Sequence, residues 1–313
     1  MTRLEPVTTL FPRGRFWARV LARATAAQVS GALQPIETEA STVEQDGVPF
    51  VIRLAVNLER KRQADAAGTR GANPFLPYDP DLFVADVTPS HVCLFNKFNV
   101  VDHHLLVVTR RFEPQDDILT FADFEAVSTC LAEIEGLAFY NSGPDAGASQ
   151  AHKHLQIVPF PLGPDLLPFP FASLLDRTDM TRTGPVARLN FRHAIAALNP
   201  SADNDVAAMA EEAQAVYGLL LDAVGLAPLG SEQLLRAAGP YNLIMTRRWM
   251  MVVPRSVESH EGISVNALGF VGSLFVRNRS DYARVLDLGP LSLLRAVAVT
   301  ESGDYLADPP SLA

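Results

Sequence analysis

The sequence predicts an α+β protein, an antiparallel sheet flanked by helices, with two halves packed into one unit. Three observations carry this expectation. Short strand-like runs recur along the chain: FVIRLAV from Phe50, HVCLFN from His91, HLLVVT from His104, YNLIMT from Tyr241 and WMMVVP from Trp249. Segments with helical three-four spacing stand among them. The linkers KFNVVDH and Arg247-Arg248 are short enough to join antiparallel neighbours.

Taken in order, residues 14–30 (GRFWARVLARATAAQVS) predict an opening helix, and Phe50, Ile52, Leu54 and Val56 alternate as a half-buried strand. Residues 57–81 turn polar and rich in Gly and Pro, a loop long enough to be functional or mobile rather than neutral. After the strands at His91 and His104, Thr120 and Asp123 form a capping pattern. Phe124, Val127, Leu131, Ile134 and Ala138 then predict a helix ending between Gly136 and Tyr140. HKHLQIVPF reads as extended chain. Regular pairing is expected to stop near Pro159, where PLGPDLLPFPFASLL begins, which divides the chain into halves 1–175 and 176–313. The second half offers a helix in DVAAMAEEAQAVYGLLLDAVG and a hairpin from YNLIMT to WMMVVP.

With 313 residues, 48% hydrophobic and 19% charged, the chain can bury a sizeable core. Its only cysteines, Cys93 and Cys130, form no CxxC, so reduced thiols and a cytoplasmic location are expected. Neither a signal peptide nor an apolar run of membrane-spanning length is present, so no membrane partner is expected. A net charge of -9 argues against sequence-independent nucleic-acid binding and confines any polyanion site to a local pocket. Of 26 basic residues only Lys61, Lys97 and Lys153 are lysines. A lysine is a compact, mobile charge, so these three are candidate phosphate contacts, with chance placement as the plain alternative.

The richest stretch is NSGPDAGASQAHKHLQIVPFP, from Asn141 to Pro161. In extended chain, His152, His154 and Gln156 share one face while Lys153, Leu155 and Ile157 share the other. Upstream, Ser142, Gly143, Gly147, Ser149 and Gln150 supply backbone N–H groups and small polar side chains, either an anion-binding concavity or simply a solvated turn. A neutral imidazole is a good nucleophile near pH 7, and His154, central in the row, is the leading candidate. His152 would donate from a ring nitrogen, and Gln156 would donate its amide to a phosphoryl group in flight. His-x-His is also metal-ligand spacing, and His91, His103 or His104 could add a third ligand from a neighbouring strand.

Together with this stretch, the blocks NPFLPYDPDLFV, HVCLFNKFNVVDHHLLVVTR, YNLIMTRRWMMVVPRS and SVNALGFVGSLFVR make the chain resemble the ATP adenylyltransferase, or diadenosine tetraphosphate phosphorylase, family of the histidine-triad superfamily. The resemblance spans nearly the whole chain. It implies a histidine-triad-like sheet and a nucleotidyltransferase that splits diadenosine tetraphosphate with phosphate into ADP and ATP, through AMP held covalently on His154. It also implies that Lys61, Asn96, Lys97, Asn141, Gly147, Ala148, Ser149, Gln150 and Gln156 line the nucleotide and phosphate path, joined by Asn266, Ala267, Leu268, Ser273 and Arg277. The chain departs from the family pattern at Ala151, where proline is common, at Ser273, where methionine is frequent, and at Arg277, where lysine is frequent. Histidine-triad hydrolases commonly place histidine at the position of Gln156. An amide shuttles no protons but is a fixed donor, which favours transfer to phosphate over transfer to water. A magnesium or manganese ion is expected to travel with the polyphosphate, and no organic cofactor is expected. A hydrolase of the same superfamily and a non-catalytic nucleotide or metal binder are the rival readings.

Overall fold

All eight strands of the sheet that carries HKHLQ run antiparallel to their neighbours, and the chain contributes to it from both sides of residue 175. The structure is a computed structural model that describes residues 10–56, 73–163, 167–175, 185–186, 188–199, 205–231 and 234–300. In chain order the strands are β1 (Thr38–Gln45), β2 (Val48–Ala55), β3 (Phe83–Thr88), β4 (His91–Phe95), β5 (Leu105–Thr109), β6 (Gly136–Ser142), β7 (His154–Pro159) and β8 (Ala194–Ala197). They continue with β9 (Leu229–Ser231), β10 (Leu234–Arg236), β11 (Tyr241–Met245), β12 (Trp249–Pro254), β13 (Ser259–His260), β14 (Ile263–Ser264) and β15 (Ser273–Val276). The large sheet has the order β3-β4-β5-β7-β6-β11-β12-β8. Its seam between the halves is β6 on β11, from Ser142 opposite Tyr241 to Ala138 opposite Met245.

The helices are α1 (Phe16–Ser30), α2 (Phe121–Leu131), α3 (Ala172–Leu175), α4 (Val206–Ala223), α5 (Arg279–Leu288) and α6 (Pro290–Val297). Helix α1 stops at Gly31, which takes the left-handed conformation at φ 78°. Asp123 accepts the Thr120 N–H at 2.7 Å to start α2, and Asp205 accepts the N–H groups of Ala207 and Ala208 to start α4.

Two cores sandwich the large sheet. On one face Phe16, Val20, Phe124, Val127, Leu220 and Leu221 of α1, α2 and α4 pack with Ala138, Tyr140, Leu155, Ile157 and Leu243. On the other, Leu137, Phe139, Val158, Ile244 and Met251 meet Ile52, Leu54 and Leu274 of a three-stranded sheet ordered β1-β2-β15, together with Leu293 and Leu294 of α6. Each large apolar side chain so enclosed contributes roughly 1.5–3 kcal/mol of burial free energy. Within the smaller sheet β15 runs parallel to β2, so a second-half strand completes a first-half hairpin.

The helix expected from Phe124 to about Ala138 is shorter than its spacing implied. It ends at Leu131, and Gly136–Ser142 is the central strand β6. All seven residues of β6 are buried, so it lacks the polar alternation that would have separated it from the helix before it. Position 136 itself requires glycine, because a Cβ there would sit 2.6 Å from the Val158 carbonyl oxygen of β7.

Candidate active site

His154 opens β7 opposite Val108 of β5, and Gln156 lies between Leu106 of β5 and Phe139 of β6. Leu155 and Ile157 enter the helix-side core while Phe139 belongs to the opposite one, so His154 and Gln156 face away from α1, α2 and α4. His152 precedes the strand, in an isolated bridge with Pro114.

His154 is 4% exposed and Phe75 lies against its ring, ring centres 5.2 Å apart. Its Nδ1 is 2.8 Å from the main-chain oxygen of His152. A carbonyl only accepts, so Nδ1 carries the proton and Nε2 is left with its lone pair. Burial pushes the imidazole down to about 4, against the opposing effect of that hydrogen bond, and His152 nearby lowers it further. His154 is therefore neutral at pH 7 with one fixed tautomer.

His152 has both ring nitrogens engaged. Asn73 Oδ1 accepts the Phe75 N–H at 2.9 Å, which turns its Nδ2 to donate to His152 Nδ1 at 2.9 Å. His152 Nε2 then donates to Thr109 O at 2.8 Å, with Thr109 Oγ1 at 2.9 Å. The expected donation from the His152 ring to nucleophile or phosphate is thus corrected: its main-chain carbonyl orients His154, and its ring anchors the residue.

Gln156 Oε1 accepts from His104 Nε2 at 2.9 Å, and His104 Nδ1 faces Asn96 Nδ2 at 3.3 Å. His104, also lowered to about 4 chiefly by burial, stays neutral as this arrangement requires. The Gln156 amide nitrogen is thereby turned the other way, with no hydrogen-bond partner among the described residues. Asn73 and Thr109 were missed as site residues, and His104 was considered only as a metal ligand. They come from separate segments, and only the tertiary fold brings them to the row.

Lys153 is not available to phosphate. It is 1% exposed on the helix side, its Nζ 2.8 Å from Glu113 Oε2 and 3.4 Å from Asp123 Oδ2, with His91 also on Asp123 at 3.1 Å. Lys97, next to Asn96, lies partly buried with its ammonium 5.6 Å over the Phe98 ring. Lys61 falls outside the described residues.

The turn from Gly143 to Gln150 leads from β6 to the histidines. Ala148 and Gln150 are half-buried in it and Ser149 is exposed. Gly147, at φ 89°, packs so closely on the second half that a Cβ would lie 2.8 Å from Val265 O and 3.2 Å from Asn266 Cα. Asn141 Oδ1 accepts from Asn242 Nδ2 at 2.8 Å and from the Ala267 N–H at 3.0 Å, while Asn266 Oδ1 accepts the Leu268 N–H at 3.1 Å. Asn141, Gly147, Asn266, Ala267 and Leu268 are thus brought together. Beneath them Arg255, 1% exposed, donates to the carbonyls of Ala146, Val265, Val297, Val257 and Glu258 and to Asn242 Oδ1. Burial lowers it to about 10, so it remains a cation at pH 7.

Ser273 and Arg277 are not brought to the histidines by any described contact. Ser273 starts β15 against Val51, and Arg277 donates to Asp281 at 3.2 Å and to Gly262 O at 2.8 Å. Among the described residues the candidate third ligands are engaged elsewhere: His91 is held by Asp123, His103 packs edge-on to Trp17, and His104 is committed to Gln156. Among the described residues no three His, Cys, Asp or Glu side chains converge.

A neutral histidine whose second ring nitrogen has no partner among the described residues, an amide donor two residues on and a glycine-rich turn beside it fit a nucleotidyltransferase-type enzyme. Comparison with known proteins agrees. Residues 7–177 match the family model of the Ap4A phosphorylase N-terminal domain, and residues 187–300 match that of the ATP adenylyltransferase C-terminal domain. The chain is 28% identical over 264 residues to diadenosine 5',5'''-P1,P4-tetraphosphate phosphorylase 2 of Saccharomyces cerevisiae, covering 76% of this chain and 78% of that one. It is 26% identical over 288 residues to the protein APA1 of the same yeast, covering 82% and 85%. The crystal structure of yeast Ap4A phosphorylase Apa2 in complex with Ap4A shares the fold, with a TM-score of 0.72 at 24% identity over 91% of this chain and 97% of that one. The chain belongs to the Ap4A phosphorylase and ATP adenylyltransferase family.

Proposed function

We propose that this protein splits diadenosine tetraphosphate with inorganic phosphate, releasing ATP and ADP, through AMP carried on His154, and that it is a member of the histidine-triad superfamily. The observation that carries this reading is the hydrogen bond from His154 Nδ1 to the His152 carbonyl at 2.8 Å, which leaves Nε2 unprotonated. In the first step the Nε2 lone pair forms a bond to an α-phosphorus while that phosphorus breaks its bond to the bridging oxygen, which leaves with ATP. In the second step a phosphate oxygen attacks the same phosphorus, the P–N bond breaks, and ADP departs. The N–H groups of Gln156, without a partner among the described residues, lie two residues along the same face and would hold the phosphoryl oxygens through both steps. Because the Gln156 amide accepts no proton, it gives water no assistance, and phosphate is the favoured acceptor.

The turn Gly147 to Gln150 supplies backbone N–H groups to the phosphates, with the charge of Arg255 behind it. Asn96, Lys97, Asn141 and Asn266 to Leu268 border the nucleotide path. Magnesium or manganese would arrive coordinated by the tetraphosphate, whose charge it screens, as part of the substrate. Free buried Cys93 and Cys130 support a reducing, cytoplasmic location, and no helix among the described residues is long and apolar enough to cross a membrane.

Exposure to diadenosine tetraphosphate without phosphate, followed by quenching and peptide mass mapping, is expected to yield AMP on His154. Added phosphate should then discharge it as ADP. The variant His154→Ala should keep its fold and form no adduct. Wild type that turns over without ever carrying AMP on this residue would refute the two-step route.

A further inference from the structure

The ladder between β6 and β7 runs Gly136↔Pro159, Leu137↔Val158, Ala138↔Ile157 and Phe139↔Gln156, and stops there. Two further steps in the same register would put Asn141 opposite His154. Neither strand has ended at that level: β6 continues to Ser142 on β11, and His154 still pairs with Val108 of β5. The two strands part from each other just where the nucleophile stands.

The side chain of Gln115 occupies the parting. Its Oε1 accepts the His154 N–H at 2.8 Å, and its Nε2 donates to His154 O at 3.2 Å and to Asn141 O at 2.9 Å. The carboxamide exchanges both main-chain hydrogen bonds with His154, as a residue of a neighbouring strand would, and then reaches Asn141 with its second N–H. Two hydrogen bonds in series replace one, so the strands are held apart with the His154 N–H, His154 O and Asn141 O all paired.

Gln115 is itself fixed. Lys153 N donates to Glu113 O at 2.7 Å and Gln115 N to Ala151 O at 2.9 Å, so residues 113–115 take the place of β6 beside residues 151–153. Tyr140 Oη donates to Gln115 O from the opposite strand. The glycine-rich turn starts at Ser142 and returns at Ala151, and so hangs from the two sides of this opening.

We infer that Gln115 is the positioning residue of the nucleophile: its carboxamide fills the parting between β7 and β6 as a wedge and holds the His154 main chain at that spacing from Asn141. It also fixes the main chain of His154 so that Nδ1 meets the His152 carbonyl. Gln115 does not touch the substrate. This role rests on the proposed transfer to His154, but the wedge itself is read without turnover.

Gln115→Met keeps the length and volume of the side chain and removes all three hydrogen bonds, whereas Gln115→Glu keeps the acceptor for the His154 N–H and loses both donations. Adduct formation on His154 in phosphate-free diadenosine tetraphosphate, followed by rapid quench, should slow at least thirtyfold in each. KM should stay within about threefold of wild type. Nitrogen-15 shifts of the His154 ring, a single tautomer in wild type, should show a mixture in Gln115→Met. Full adduct rates with an unchanged tautomer overturn the inference. Should either variant fail to fold, the decisive measurement is on wild type: a long-range HNCO correlation from the His154 amide to the Gln115 side-chain carbonyl carbon is expected, and its absence overturns the wedge. Wild type that shows this correlation but never carries AMP refutes the transfer and leaves the wedge standing.

Discussion

Acidification is the most direct probe of this site. An ordinary histidine, at about 6.5, would be about 90% protonated at pH 5.5, whereas His154, lowered to about 4, would be only about 3% protonated there. The phosphate-free adenylylation rate should therefore be nearly the same at pH 5.5 as at pH 7.5, and should halve only toward pH 4. An unshifted histidine would lose about tenfold over the same interval. Single-turnover quench measurements from pH 4.5 to 8, normalised to the folded fraction at each pH, separate the two cases. An acid limb centred at 6 to 6.5 would refute the burial argument. Stability gives a second reading of the same shift. The folded values of His154 and His104 lie below the unfolded value, so between about 4 and 6.5 the unfolded chain binds more protons. Their contribution is complete above pH 6.5 and is lost as pH falls toward 4. It amounts to about 3 kcal/mol for each histidine. Urea unfolding at stepped pH should show the decline begin near 6.5.

Two substitutions test the surroundings. Gly147→Ala demands a side chain at φ 89° and places its Cβ 2.8 Å from Val265 O, so the turn must lift off the second half. KM for diadenosine tetraphosphate should rise tenfold or more with the circular dichroism spectrum unchanged, and wild-type KM would mean the turn does not contact the polyphosphate. Lys153→Met strips the buried Asp123 carboxylate of its ammonium partner at 3.4 Å and should cost about 3–5 kcal/mol in chemical denaturation. A loss below about 1 kcal/mol would show that His91 alone compensates Asp123.

Much of this site was legible because strand geometry is local. Alternation in HKHLQ places His154 and Gln156 on one face and Leu155 and Ile157 on the other in any extended chain, and the structure keeps that division. Its limits show at Lys153, which the same alternation sends to the helix side, where Asp123 holds it. Rarity of lysine, the reason for connecting it with phosphate, carries no information about direction. Gly136–Ser142 was hidden for another reason: a strand buried on both faces has no polar alternation to betray it. Ser273 and Arg277 were assigned by resemblance alone, and the structure commits them to β2, Asp281 and Gly262.

The sequence by itself determined the strand that carries the histidine row, the turn of small residues before it and the order of the main elements, since each depends on neighbours a few residues away. Tertiary structure decided which atoms are free to react. The His152 ring is satisfied by Asn73 and Thr109, Gln156 is aimed by His104, and the His154 main chain is held by Gln115. Those partners lie 39 to 79 residues away along the chain. Hydrogen bonds over such separations depend on how strands pair and layers pack, and no local spacing encodes them.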